Sequence, residues 1–170
     1  MAKKYILTDE TVNHNGRTLY RIKAIRDFGE VMEGDLGGFI ESERNLSHEG
    51  NAWVGDEARV YENARVFENA QVYGEAQVYD NAQVFEYGQV YGEAQVYGNA
   101  RVFGNAWIGE NAQVFGKALV FDRAWVFDSA WVFDSARVYG KAWVYERAHV
   151  LGCAHVHGEV ELAGITDTIQ

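Results

Sequence analysis

His149, His155 and His157 are the side chains of this 170-residue chain best suited to acid–base chemistry, because imidazole titrates near neutral pH. His149 and His155 stand six residues apart, each between an Ala and a Val, and His157 follows two residues later. As a metal set they fall short, since catalytic zinc takes three protein ligands with an open fourth position. Cys153 is the single cysteine, which excludes an internal disulfide. Neither a Gly-rich phosphate cradle nor a nucleophile motif is present. The sequence therefore predicts no metal site and no resident cofactor. The second candidate group is aromatic. Trp107, Trp125 and Trp143 recur every 18 residues, and Trp131 follows Trp125 by six. Indoles in a row on a surface mark a contact site rather than a reaction centre.

The elements that must position these residues are legible from one repeat. From Asn51 to Gly158 the chain runs in hexads without insertion, with Ala at nearly every sixth position and Val two residues later, Ile108 being the exception. Ala and Val point to one side of a short strand and the residue between them points away. The two positions after the following aromatic mostly hold Gly, Asn, Asp, Glu, Ser or Lys, the residues of a corner. Three hexads close a triangular coil, so the period of the structure is 18 residues and every strand meets its counterpart one coil away. The fold class expected is all-β: a left-handed parallel β-helix of six to seven coils with an N-terminal β-hairpin cap. Asn15-Gly16 between two alternating segments predicts the hairpin. Ile40, Leu46 and Ala52 are spaced by six, which places the start of winding near Gly38. The expected divisions are residues 1–37 as cap, 38–163 as solenoid and 164–170 as tail.

Sorting the outward residues by face gives three columns. Trp53, Gln71, Gln89, Trp107, Trp125 and Trp143 form the first, and Arg59, Gln77, Gln95, Gln113, Trp131 and His149 the second. The third holds Arg65, Gln83, Arg101, Leu119, Arg137 and His155. A flat face offers no side wall to bury an indole, so the first column predicts an exposed apolar strip. Net charge is −10, from 25 acidic and 15 basic residues, which speaks against nucleic-acid binding and reads as a solubility device. No apolar run reaches the length of a membrane span and the first residues lack a signal-peptide stretch, so a cytoplasmic, soluble protein is expected.

The hexads resemble the bacterial transferase hexapeptide repeat, whose family fold is the left-handed parallel β-helix. The residue after the aliphatic is Phe or Tyr here where that family has a small one, which implies wider corners. The run Ala24-Ile25-Arg26-Asp27-Phe28, with Gly37-Gly38-Phe39, Asn45-Leu46-Ser47 and Gly50-Asn51-Ala52-Trp53-Val54, resembles the start of YdcK-type proteins. Those are bacterial proteins described by similarity as acetyltransferases, with similar chains in phage and prophage genomes. The resemblance implies an acyltransferase acting on acetyl-CoA at a trimer interface, with His149 or His155 as general base. The family's extruded loop is missing from these hexads, and about a dozen residues follow Gly158 where its C-terminal helix would stand. The residues themselves favour a non-catalytic scaffold that forms a dimer or trimer, or takes a protein partner, through Trp107, Trp125, Trp143 and Trp131.

Overall fold

The computed structural model describes residues 2–164. It is an all-β parallel solenoid of about seven turns, preceded by antiparallel strands. From Trp53–Val54 to Glu161–Leu162 each hexad contributes one two-residue strand, and the strands sort into three sheets. We name them by their outward residues: the tryptophan face (Trp53 to Trp143), the hairpin face (Arg59 to His149) and the arginine face (Arg65 to His155).

Alternation explains the core. Every Ala and Val of the hexads points inward and is essentially inaccessible, from Ala52 through Val144. A two-residue strand suffices because each coil donates amide bonds to the next, as in Trp53 N–H to Ala70 O, Gly55 N–H to Val72 O and Glu57 N–H to Gly74 O, at 2.8–3.0 Å. The first corner residue after the aromatic has positive φ at all eighteen places from Asp56 to Gly158. Glycine adopts that conformation freely, whereas Asp and Glu do so at a cost of about 1 kcal/mol or more.

The N-terminal strands β1 (Tyr5–His14) and β2 (Arg17–Ala24) pair antiparallel around Asn15-Gly16, both with positive φ, as the sequence predicted. Strand β3 (Leu36–Ile40) pairs antiparallel with β2 and parallel with Arg59–Val60, so the hairpin extends one face of the solenoid. Tyr5, Ile22, Ala24 and Phe28 join Ile40, Leu46 and Trp53 in the core. Lys4 is fully buried there: its ammonium donates to the carbonyls of Ala52 (2.7 Å) and Gly50 (3.2 Å) and lies over the Phe28 ring. Burial, with the nearby Arg26 charge, lowers its pKa to about 8.

The first coil corrects the sequence reading. Ile40 pairs with Val60 and Leu46 bridges Val66, a separation of 20 residues, whereas Val54 pairs with Val72 at 18. Ile40 and Leu46 therefore occupy Val places, and their spacing of six to Ala52 is a coincidence of register. The two extra residues lie in the turn between Ser47 and Trp53. Gly50 makes that turn possible: its φ is +63° and a Cβ there would sit 2.2 Å from the Glu68 carbonyl oxygen. The expected tail falls, from residue 165 on, outside the described residues.

Candidate interaction surface

The outward side chains follow a pairing rule that the 18-residue sorting hides. Most corner aromatics lean over the outward residue 16 positions later, on the next coil. At four of the six outward Gln the aromatic is Tyr and its hydroxyl meets the amide: Tyr61–Gln77, Tyr73–Gln89, Tyr79–Gln95 and Tyr97–Gln113, at 3.3–3.4 Å. Where a corner ring meets an outward Trp, it packs edge-on against the indole, as in Tyr91–Trp107, Phe115–Trp131 and Phe127–Trp143. These corner rings are the side wall that a flat face was expected to lack. Trp107 and Trp125 are half-buried, while Trp131 and Trp143 stay 38% and 40% exposed.

Along the axis the rings stack in ladders. Trp107, Trp125 and Trp143 lie parallel with centroids 4.8 and 5.3 Å apart. Two corner ladders, Tyr61 to Phe133 and Phe67 to Tyr139, repeat at 4.9–5.1 Å. The third is broken at Gly109, where the Tyr91 ring fills the space a side chain would take, its Cζ 2.1 Å from an added Cβ. Stacked indoles cover one another's faces, so what the tryptophan column presents outward is ring edges. That arrangement suits packing against another surface better than capture of a flat ligand between rings.

The histidines continue these ladders and are not brought together. His149 stacks on Trp131 (5.0 Å) and His157 on Tyr139 (5.1 Å), while His155 sits edge-on to Tyr139. His149 belongs to the hairpin face and His155 to the arginine face. Among the described residues no three His, Cys, Asp or Glu side chains are placed to hold a metal ion. Two shallow grooves share Ser129 and Arg147, and one of them reaches Trp131 and His149. One, of about 300 Å³, is lined by Ser129, Trp131, Arg147 and His149; the other, of about 390 Å³, by Asp128, Ser129, Glu146 and Arg147.

The corner carboxylates have a role that composition concealed. Eight of them accept the amide N–H of the corner residue one coil on, from Gly74 N–H to Asp56 (2.9 Å) through Gly152 N–H to Asp134 (3.2 Å). A hydrogen bond to a charged acceptor is worth about 1.5 kcal/mol or more, enough to offset the positive φ of an acidic corner. The acidity read as a solubility device is thus also part of the corner's construction. A spacing of 18 between acidic and corner positions would have revealed it. Where acids succeed one another the charges crowd: a hydrogen bond with Asp128, then desolvation and repulsion by that same group, hold Glu110 above the usual carboxylate range.

A family model described as the YdcK Beta solenoid repeat matches residues 58–74 and 94–110, both inside the hexads. A search of curated proteins finds no match to the chain. No helix among the described residues is long and apolar enough to cross a membrane.

Proposed function

We propose that this β-solenoid is a non-catalytic scaffold that self-associates through the aromatic surface of its later coils. The observation that carries the reading is the clustering of Trp125, Trp131 and Trp143 on two adjoining faces, with the last two exposed although corner rings pack against them. Apolar area left exposed in one region, beside shallow grooves, is where burial against a second surface stabilises most. The histidines support the same reading, since each packs against an aromatic ring, His149 on Trp131 and both His155 and His157 on Tyr139. The test is solution mass by light scattering for the native chain and for Trp107→Gln/Trp125→Gln/Trp143→Gln. Gln already occupies the same column at 71 and 89. The native chain should be an oligomer and the triple variant a folded monomer. A triple variant of unchanged mass sinks the proposal.

One observation favours a second reading, the groove of about 300 Å³ that places His149 beside Trp131, Ser129 and Arg147. Under it the chain is an acyltransferase with His149 as general base, in line with the similarity to YdcK-type proteins. Saturable binding of acetyl-CoA that weakens in His149→Ala would support it.

A further inference from the structure

A triangular prism sets each edge opposite a face, and the edge between the tryptophan and hairpin faces lies opposite the arginine face. That edge carries one carboxylate per coil over five successive coils: Glu75, Glu93, Glu110, Asp128 and Glu146. None of the five forms an ion pair among the described residues. The arginine face carries Arg65, Arg101 and Arg137 in one column on every second coil. These too are without ion pairs among the described residues, and Arg101 rests on the Phe85 and Phe103 rings. Leu119, the one apolar outward residue of that face, lies between Arg101 and Arg137.

We infer that the acidic edge, with its flanking tryptophans, docks lengthwise against the arginine face of a second copy of this chain. Charge complementarity is one reason and commensurate spacing is the other. The carboxylates repeat at the inter-strand distance of about 4.8 Å and the arginines at twice that, about 10 Å. Two solenoids of identical pitch lying side by side can therefore match every arginine to a carboxylate. A partner of unrelated repeat would lose register within a few coils. Trp131 and Trp143 flank the edge and supply apolar area for Leu119 and the corner rings beside it. Because the two surfaces are different and lie on opposite sides of one chain, the contact is heterologous, so each copy offers one of each.

The inference rests on the self-association proposed above and is tested separately from it. Arg101→Glu/Arg137→Glu spoils one surface and Glu93→Lys/Glu110→Lys the other. Each variant alone should run as a monomer, whereas an equimolar mixture should associate again, through the native contact that remains and the charge-swapped one. Recovery in the mixture also demonstrates that both variants are folded. Raising the salt from about 0.05 M to about 0.5 M should weaken the native oligomer, as screening of exposed charge requires. If both charge variants keep the native mass while the Trp→Gln variant does not, self-association stands and this docking geometry is wrong. A native chain that is monomeric at low salt overturns both.

Discussion

Two stretches of one solenoid differ only on their outside. In the coils that carry Gln71, Gln77, Gln89 and Gln95 each of these outward amides has a polar neighbour, the Asn51 carbonyl for Gln71 and a Tyr hydroxyl for the other three. In the coils of Trp125, Trp131 and Trp143 the same positions hold indoles, the last two backed by Phe and exposed. The core beneath is the same column of Ala and Val with no accessible area in either stretch. Stability and recognition are thus written in separate columns of one repeat. The inward column makes a coil, and the outward residue with its partner 16 positions earlier decides what the coil presents.

The sharpest way to break that comparison is to strike both cores. Val96→Asp and Val132→Asp should unfold the chain alike, each by several kcal/mol, because both leave an unpaired carboxylate in a dry interior. Chemical denaturation checks this, and unequal losses would mean the two stretches are not structurally equivalent. Next in size is conversion of one surface into the other. Gln71→Trp/Gln89→Trp should continue the indole ladder from Trp53 to Trp107 and raise the association constant, while leaving the unfolding free energy within about 1.5–4.5 kcal/mol of native, three stacked pairs' worth. Sedimentation at several concentrations reads it out.

A smaller effect contrasts the cap with the solenoid. His48 stacks on Tyr5 at 4.2 Å, accepts the Lys4 amide N–H, and is held by burial below the usual histidine pKa. A lowered histidine favours the neutral form in the fold, so stability is present above the ordinary value near 6.5 and declines as pH falls below it. Acidification should loosen the cap before the coils, seen as amide exchange at Tyr5 and Leu46 rising ahead of Val96, and His48→Gln should blunt the response. The smallest expected effect is Tyr79→Phe, which removes one partly exposed hydrogen bond to Gln95 and should cost about 0.5–1 kcal/mol. Phe115→Tyr, facing Trp131, should change stability by less.

Much of this surface was legible once the residues were sorted by coil. The three faces, the positive-φ corners and the hairpin at Asn15-Gly16 all appear in the structure where the hexad and the turn chemistry put them. The register of the first coil did not follow, because spacing alone puts Ile40 and Leu46 in Ala places, and the two extra residues before Trp53 break the period without leaving a gap in it. Only the ladder with Val60 and Val66 selects between them. The Tyr–Gln and Phe–Trp pairs were missed because the lean of a corner ring carries it two residues off the 18-residue register.

What the sequence determined by itself is the repeat, and with it the core, the corners and the sorting of residues onto faces, since a strict period leaves one way to close a coil. What only the tertiary structure decided is how unlike residues meet. Lys4 lies fully buried against carbonyls of the first coil's turn, carboxylates bond the next coil's corners, and an acidic edge stands opposite a column of arginines. The first and last of those relations join residues with no shared position in the repeat, and all the distances exist only once the chain is wound.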